Sequence, residues 1–383
     1  MKYKKVENRQ LTTLLENKGI VSAEKKLDIP SLSKKVSILF RNSIPEIPST
    51  TYGTFAIYKY PAKFIPQVIA YALKKYAKPG MKIFDPFAGY GTVGLVARIY
   101  GYDYELWDLN PIIETIHKSA TLKKSAIKPR DLIELLEELK KSQKEFIPKW
   151  TNLDYWFPQE FLATLSKAWG FVHSLSEDTK HFFLIPLLNT TKYFSWTDEK
   201  VHKLYKSKYS RRKIESLLKR NWPTIFYKML RDEVFRLFNK ISEYEKLQPK
   251  LVNFKIKSGV DILETQLNEP VNILITSPPY LQAQEYIRST KLELFWLGYD
   301  ENYIRNLGKK EIPYRDVDEI EIHSKKYYKF REKIKEPHLK VLYERYFKAI
   351  LGTFSKLGEK VENYMCIFVG PAKIRTMPVP IDE

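Results

Sequence analysis

The sequence predicts an α/β protein whose doubly wound parallel sheet is interrupted by a mainly helical insertion. Three observations lead to this prediction. A strand–turn–helix–strand unit covers residues 81–108, long amphipathic helices follow from about 112 to 251, and strongly apolar strand segments then resume. Strands that alternate with helices are typical of βαβ units and therefore of parallel sheets.

The individual elements follow from the spacing of apolar residues and from turn signals. The predicted strands are residues 81–84, 104–107, 254–256, 271–275 and 365–369. The predicted helices of the first unit cover residues 61–76, which Lys78-Pro79-Gly80 ends, and about 93–100. Within the insertion, residues 131–139 have a helical pattern and residues 182–188 form a buried segment.

The composition is that of a folded and strongly basic chain. Its 383 residues are 44% hydrophobic and carry 65 Lys plus Arg against 45 Asp plus Glu, a formal charge of +20. The apolar content argues against disorder, and the excess positive charge suits a polyanion such as nucleic acid. The alternative is the Lys- and Glu-rich surface that is typical of thermophilic proteins. Such a surface explains the high content of charged residues, but it explains the excess of positive charge less well.

Cysteine usage and hydropathy narrow the class of protein further. Cys366 is the only cysteine, so the chain forms neither an internal disulfide nor a Cys-based zinc cluster. No window approaches the roughly 20 apolar residues of a membrane span. The basic N-terminus is not followed by the apolar stretch of a signal peptide. We therefore expect a cytoplasmic protein.

A glycine-bearing turn, Asp85-Pro86-Phe87-Ala88-Gly89-Tyr90-Gly91-Thr92, follows the first predicted strand. Glycines let the backbone approach a ligand closely, and the helix that follows offers free N–H groups. Asp108, at the end of the second strand, suits a ribose diol. The spacing Gly89-x-Gly91-x-x-Gly94 also fits a dinucleotide fingerprint. The turn thus predicts S-adenosylmethionine or a dinucleotide, and the Asp-Pro-Phe before its glycines favours the former.

The run Thr276-Ser277-Pro278-Pro279-Tyr280 lies directly after a buried strand. The amino group of a nucleobase is a poor nucleophile because its lone pair is delocalised into the ring. The Ser277 hydroxyl and the Pro278 carbonyl can hold the amino hydrogens, and adjacent prolines keep that carbonyl free of strand pairing. Tyr280 can stack on a base swung out of a helix. The alternative is an ordinary loop at the end of a strand.

Asp261 lies shortly after the predicted strand at residues 254–256. A carboxylate at this position can accept a hydrogen bond from an adenine amino group. A structural role as a turn residue or helix N-cap fits the sequence equally well. The sequence leaves both roles open.

Together these motifs resemble the amino-methylating DNA methyltransferases of restriction–modification systems, and most closely their N4-cytosine group with its Ser-Pro-Pro-Tyr tetrad. The adenine-N6 enzymes more often carry Asp or Asn in place of Ser277. The resemblance covers roughly residues 50 to 375. It includes Tyr60-Pro61-Ala62-Lys63-Phe64 ahead of the glycine turn, residues 155–158 and residues 284–298.

The resemblance implies a Rossmann-like class I methyltransferase fold, S-adenosylmethionine as methyl donor, no metal, and double-stranded DNA as substrate. The implied catalytic residues are Ser277, Pro278, Pro279 and Tyr280. The implied donor-binding residues are Tyr60, Pro61, Lys63, Phe64, Asp85, Pro86, Phe87, Gly89, Gly91, Thr92, Asp108 and Asp261. Among them, Asp108 would hold the ribose and Asp261 the adenine.

The resemblance also implies a domain organisation. We expect an N-terminal arm at residues 1–50, a catalytic domain at residues 51–125 and 251–383, and a target-recognising insertion at residues 126–250. The insertion contains the densest basic run, whose expected DNA-binding residues are Lys206, Lys208, Arg211, Arg212, Lys213, Lys219 and Arg220. Such residues can grip phosphates and read guanine edges, although a solvated helix face is the alternative. A second candidate is the basic segment 323–331.

The tail after residues 365–369 looks too short for the helix and two-stranded hairpin that usually complete such a sheet. We therefore expect a truncated chain, or a sheet completed by the N-terminal arm or a second chain. Because an open edge is usually covered, a homodimer or partner is predicted. Methylation at carbon 5 of cytosine is set aside because that reaction needs a cysteine nucleophile, whereas Cys366 lies in an apolar strand and the tetrad contains no thiol. Adenine-N6 methylation, RNA guanine-N2 methylation and a catalytically silent DNA-binding subunit remain alternatives.

Overall fold

The computed structural model describes residues 39–201, 203–281, 285–370, 372–379 and 381. Most of the expected N-terminal arm, and most of its apolar stretch at residues 36–40, lie outside the described residues. The strands are β1 (Lys82–Asp85), β2 (Asp103–Asp108), β3 (Phe254–Ser258), β4 (Val271–Thr276), β5 (Val361–Ile367), β6 (Ala372–Ile374) and β7 (Met377–Val379). The helices are α1 (Phe40–Ser43), α2 (Pro66–Tyr76), α3 (Thr92–Tyr100), α4 (Ile112–Ala120), α5 (Pro129–Lys141), α6 (Leu153–Trp156), α7 (Gln159–His173), α8 (Glu177–Tyr193), α9 (Lys208–Leu218), α10 (Trp222–Glu245), α11 (Tyr286–Trp296), α12 (Glu301–Lys309), α13 (Lys325–Lys333) and α14 (Pro337–Gly358).

Five strands form one parallel sheet in the order β3-β2-β1-β4-β5. The chain moves outward from β1 to β3 and then returns to the other side of β1 with β4. The strand order therefore reverses between β1 and β4, and ligands of open α/β sheets bind beyond the carboxyl ends of the strands at such a point. The predicted α/β fold with a parallel, Rossmann-like sheet is confirmed.

The two faces of the sheet carry separate hydrophobic clusters because successive side chains of a strand point to opposite faces. Ile83, Leu106 and Ile273 pack into a large cluster with the helices of the insertion. Phe84 and Leu274, on the opposite face, pack with α14 and with the β6–β7 pair. Both faces are thus covered, as continuous apolar strands such as β4 require.

The insertion is helical throughout the described residues between β2 and β3, which contain helices α4 to α10 and no strand. Its longest helices, α8 and α10, pack against each other, and α8 also packs against α4. The Tyr244 hydroxyl of α10 donates a 2.7 Å hydrogen bond to the Leu95 carbonyl of α3. The insertion therefore shares a hydrophobic core with the sheet.

One predicted helix begins later than the apolar spacing indicated. The prediction started it at Pro61, but α2 begins at Pro66. Proline restrains the residue before it to extended backbone and is itself suited to the first helical position. Ile65 is extended, and Ala62 has a positive φ of 51°. Residues 61–65 consequently form a loop.

The expectation that the tail lacks the sequence for a two-stranded hairpin is wrong. β6 and β7 pair antiparallel across a two-residue connection, in which Arg375 has a φ of 53°. Alternate residues, Ala372 and Ile374 on β6 and Val379 on β7, are buried in the cluster around α14. The hairpin nevertheless forms a sheet of its own and does not extend the five-stranded sheet. Among the described residues, no helix is long and apolar enough to cross a membrane.

Candidate active site

A cleft of about 770 Å³ lies beyond the carboxyl ends of β1, β2, β3 and β4. Each of these strands sends its following loop into the cleft wall, since the carboxyl ends of parallel strands share one edge of the sheet. The lining residues are Tyr60, Pro61, Ala62, Pro86, Phe87, Gly89, Asp108, Leu109, Asn110, Val260, Asp261, Ile262, Ser277, Pro279, Tyr286, Ile287, Lys310, Glu311 and Ile312. Among the described residues, no group of three or more His, Cys, Asp or Glu side chains is arranged to hold a metal.

The glycine turn after β1 exposes its backbone to the cleft at Gly89. Gly89 has a φ of 54°, and a Cβ atom added there would lie 3.1 Å from the ring of Tyr60. Gly91 has a φ of 82° and precedes α3, and a Cβ atom there would lie 2.8 Å from Nδ1 of His117. Gly89 is thus needed for approach to the cleft, whereas Gly91 is needed for packing beneath it.

Asp108 ends β2 and faces the cleft from behind the glycine turn. One of its oxygens accepts a 2.7 Å hydrogen bond from the Gly89 N–H, and the other accepts one of 2.7 Å from the Asn110 N–H. Burial raises the pKa of Asp108 to about 6, against the opposing effect of these two hydrogen bonds. Each oxygen keeps a second lone pair, so the carboxylate can also accept hydrogen bonds from a ligand diol.

Asp85 supports the cleft from below and does not line it. Its side chain is 1% exposed, and Oδ1 accepts hydrogen bonds from Thr276 Oγ1 at 2.6 Å and from the Phe87 N–H at 3.1 Å. Burial is the main cause of its raised pKa of about 7. Asp85 therefore fixes the turn after β1 to the end of β4.

The Ser277–Tyr280 segment continues from β4 along the cleft wall. Ser277 and Pro279 line the cleft, while Pro278 is buried. The ring of Tyr280 passes close to the backbone beyond β5, where a Cβ atom added to Gly370 would lie 3.1 Å from the ring. The segment is thus held between the cleft and the edge of the sheet.

The segment before the glycine turn divides between the cleft and the core. Tyr60 lines the cleft and stacks on Tyr286, with ring centroids 6.3 Å apart and planes 17° from parallel. Lys63 turns away, donates hydrogen bonds to the carbonyls of Thr50 and Phe55, and has its pKa lowered to about 8 by burial. Phe64 packs on Phe368, with centroids 5.2 Å apart.

The cleft therefore brings together most but not all of the expected donor-binding residues. Those that line it are Tyr60, Pro61, Pro86, Phe87, Gly89, Asp108 and Asp261. Those that lie behind its wall are Lys63, Phe64, Asp85, Gly91 and Thr92. Thr92 is 1% exposed within the first turn of α3, so its hydroxyl faces the protein interior.

The segment that follows α12 contributes residues that the sequence reasoning missed. Lys310, Glu311 and Ile312 line the cleft beside Asp261. Asp261 is paired with the Arg315 guanidinium, and its Oδ2 lies 3.6 Å from the Lys310 ammonium. No motif marks this segment, since its charged residues look like those of a solvated helix end.

Asn110 and Tyr286 are two further lining residues that were not among the expected binding residues. Asn110 is 1% exposed and donates a 2.8 Å hydrogen bond to the Thr290 hydroxyl of α11. Tyr286 is the first residue of that helix. Asn110 therefore fixes α11, which follows the Ser277–Tyr280 segment, to the loop after β2.

The expected DNA-binding residues lie on and around α9, and most of them are exposed. Lys208, Arg211, Arg212, Lys219 and Arg220 are exposed. Lys206 lies 3.5 Å above the exposed ring of Tyr155, a cation–π contact. Lys213 points inward instead, and its ammonium lies 2.8 Å from the Glu199 carboxylate. Its charge is thus used within the fold.

A second cavity of about 740 Å³ lies beside the cleft, and Glu199 and Val201, which precede α9, line it. Pro61 lines both cavities, and Lys59, Lys192 and Glu199 line the second one. The Lys59 ammonium donates a 2.8 Å hydrogen bond to the Glu199 carbonyl. This bond joins Lys59, directly before Tyr60, to the chain that leads into the basic run.

Three relatives are similar to the chain over most of its length. It is 26% identical over 313 residues to the Type II methyltransferase M.MvaI of Kocuria varians, covering 73% of this chain and 66% of that protein. It is 27% identical over 266 residues to the Type II methyltransferase M.BsoBI of Geobacillus stearothermophilus, covering 61% and 50%. It is 23% identical over 298 residues to the Type II methyltransferase M.AvaI of Nostoc sp., covering 72% and 59%.

The chain thus spans between one half and two thirds of the lengths of these relatives. No protein-family model matches it, and no solved structure matches it with significance. The parallel sheet, with a cleft at the point where its strand order reverses, is consistent with this similarity. This chain is therefore similar, at low sequence identity, to the Type II methyltransferases.

Proposed function

We propose that this chain is an S-adenosylmethionine-dependent, sequence-specific DNA methyltransferase that methylates the exocyclic N4 of cytosine. One observation carries the proposal: Ser277, directly after β4, lines the same cleft as Gly89 and Asp108. A hydroxyl that can accept a hydrogen bond from a base amino group and a carboxylate that can bind a ribose diol thus line one cleft. The Type II methyltransferase relatives support the general reaction.

The cleft residues fit the methyl donor. Gly89 leaves room for close approach of a ligand to the backbone, and Asp108 offers lone pairs to a ribose diol. Asp261, at the β3 end of the cleft, accepts a 3.1 Å hydrogen bond from the Leu263 N–H at the oxygen away from Arg315, and the second lone pair of this oxygen can accept from an adenine amino group. When bound, the donor supplies a methyl group on a sulfonium, which needs alignment with the acceptor more than acid or metal activation.

The acceptor base would enter from the side of the Ser277–Tyr280 segment. The Ser277 hydroxyl and the Pro278 carbonyl would accept the two amino hydrogens, which turns the nitrogen lone pair towards the methyl group. Tyr280 would stack on the ring of the base, and a base inside a duplex reaches such a site only when it is swung out. Serine in the first tetrad position favours cytosine N4, with adenine N6 as the alternative.

We also propose that residues 126–250 form the target-recognising insertion within a catalytic domain of residues 51–125 and 251–383. The exposed cations of α9 support this assignment, and Glu199 and Val201, which precede α9, line the second cavity beside the cleft. The edge of the sheet at β5 pairs only with β4 among the described residues, which supports a homodimer or a second chain at this edge. A cytoplasmic location belongs to the same proposal.

The proposal is tested by incubating the protein with methyl-labelled donor and DNA of varied sequence, followed by nucleoside analysis. N4-methylcytosine is the expected product. N6-methyladenine would replace the cytosine assignment with the adenine alternative, and label in RNA alone would overturn DNA as the substrate. Protein that binds the donor and DNA without transfer would indicate a silent DNA-binding subunit.

A variant at the tetrad tests the mechanism. Ser277→Ala should lose about 100-fold or more of the transfer rate and keep donor binding, because the hydroxyl acts on the acceptor. Ser125→Ala, at an exposed position outside the cleft and outside α9, is the matched control and should keep full activity. Unchanged transfer by Ser277→Ala would remove Ser277 from the mechanism.

A further inference from the structure

Glu311 is a buried carboxyl group in the wall of the cleft that the proposed reaction leaves without a role. It follows α12 and is 8% exposed. Its Oε1 accepts a 2.9 Å hydrogen bond from the Ile287 N–H at the start of α11. Among the described residues, no Lys, Arg or His forms an ion pair with it. A carboxyl group that is both buried and unpaired with a cation is costly to keep.

Ion pairs hold the segment that carries Glu311 against the loop after β3. Lys310 lies 2.9 Å from Glu264, and Arg315 pairs with both Asp261 and Glu264. Lys310 and Arg315, the cations on either side of Glu311, therefore pair with other carboxylates. Glu311 itself is left facing the cavity as a fixed acidic group.

The charges that line the cleft are unbalanced. Asp108, Asp261 and Glu311 face Lys310 alone among the charged lining residues. Burial raises the pKa of Glu311 to about 7, and repulsion from Glu285 and Asp108 acts in the same direction. A positively charged ligand in the cleft would relieve this repulsion and favour the ionised carboxylate.

We propose that Glu311 is a binding residue for the cationic part of the methyl donor and favours the donor over the spent product. The inference rests on the proposed function. The donor carries a sulfonium and an ammonium, whereas the product, S-adenosylhomocysteine, has a neutral thioether in place of the sulfonium. A nearby carboxylate therefore attracts the donor more strongly than the product, and it helps exchange one for the other after transfer.

The test compares the affinities of wild-type protein and Glu311→Gln for S-adenosylmethionine and for S-adenosylhomocysteine, measured by calorimetry at pH 8. Glutamine keeps an oxygen that accepts the Ile287 hydrogen bond, so the cap on α11 is retained. The ratio of product to donor dissociation constants should fall by about tenfold in the variant, as expected for a lost unit charge at a partly buried site. Thermal unfolding of both proteins checks that the fold is unchanged.

Glu134→Gln is the matched control, because Glu134 carries the same charge but lies on α5, where it pairs with Arg130 outside the cleft lining. Its ratio of dissociation constants should equal that of the wild type. If Glu311→Gln weakened the binding of both ligands equally, Glu311 would act only by capping α11. That result would overturn this inference alone. Wild-type protein that binds neither ligand would overturn the proposed function and this inference with it.

Discussion

Thr276 donates a 2.6 Å hydrogen bond to Asp85 and so joins the carboxyl ends of β4 and β1. Both residues are buried, and the bond lies at the point where the strand order reverses. The glycine turn continues from Asp85, and Ser277 follows Thr276 directly. This one contact therefore fixes the relative positions of the two loops on which the proposed chemistry depends.

Thr276→Val should lower the free energy of unfolding by about 1–3 kcal/mol, because a buried acceptor loses its donor without a change of shape. Denaturant unfolding measures this loss. Thr121→Val, at a partly buried hydroxyl that bonds only its own helix, is the control and should cost less. A Thr276→Val protein as stable as the wild type would show that the bond adds nothing to the sheet.

Asp85→Asn should change the pH dependence of stability. Burial raises the pKa of Asp85 from its ordinary value of 3.8 to about 7. Between these pH values the folded state binds more protons than the unfolded state, so the contribution of Asp85 to stability falls as pH rises. The amide oxygen can still accept from Thr276 and Phe87. From pH 4 to pH 8 the variant should gain on the order of 3 kcal/mol relative to wild type.

Chemical unfolding over this pH range tests the prediction. Asp232→Asn, at an exposed position of α10, should follow the wild-type profile. A difference between Asp85→Asn and wild type that stays constant with pH would mean that Asp85 is already ionised at acidic pH. The physical explanation from burial would then be wrong.

Gly94→Ala should destabilise the protein by about 1–3 kcal/mol through overpacking. A Cβ atom at Gly94 would lie 2.6 Å from the Tyr104 ring and 2.8 Å from the His117 ring, so α3 could no longer approach β2. Gly308→Ala in α12 is the control, since no atom lies within 4 Å of its added Cβ. It should raise stability by about 0.5–1 kcal/mol. Thermal unfolding of both variants should shift in opposite directions.

Lys192→Met should destabilise the protein by about 3–5 kcal/mol, because it leaves a buried charge without its partner. The Lys192 ammonium lies 2.6 Å from the carboxylate of Glu293, which is fully buried and also accepts a 2.8 Å hydrogen bond from Tyr58. Adding Glu293→Gln should recover most of the loss, since an amide carries no charge. A double variant as unstable as the single one would exclude the stranded charge as the cause.

The control for this pair is Lys140→Met, which breaks an exposed ion pair with Glu137. Exposed pairs contribute about 0–1 kcal/mol, so the control should unfold near the wild-type midpoint. Both comparisons use denaturant unfolding at neutral pH.

The double variant Arg211→Ala/Arg212→Ala should weaken binding to DNA of any sequence and reduce its dependence on salt. Each lost phosphate contact lowers the slope of log affinity against log salt by about 0.9. Arg130→Ala/Lys140→Ala removes the same charge at two exposed positions of α5, and as the control it should change neither quantity. Equal losses in the two proteins would mean that binding follows net charge alone and that α9 is not the DNA-binding face.

The sequence by itself determined the sheet and the residues at its carboxyl edge. Apolar runs mark the strands, and each run that matters ends at a chemically distinct residue: Asp85, Asp108 or Ser277. Parallel strands place such ends side by side whatever connects them. The cleft could therefore be located from local pattern alone.

Only the tertiary structure decided which side chains face the cleft. Lys63 and Thr92 lie within recognisable motifs but point into the protein, since neighbouring side chains on a turn diverge. Glu311 and Asn110 carry no motif and enter through contacts with α11, which bonds Asn110 across 180 residues of sequence and Glu311 across 24. The hairpin of β6 and β7 likewise depends on a core against α14. Local sequence determines which segments become helices and strands. The direction of each side chain and the position of loops far apart in sequence depend instead on packing across the whole chain.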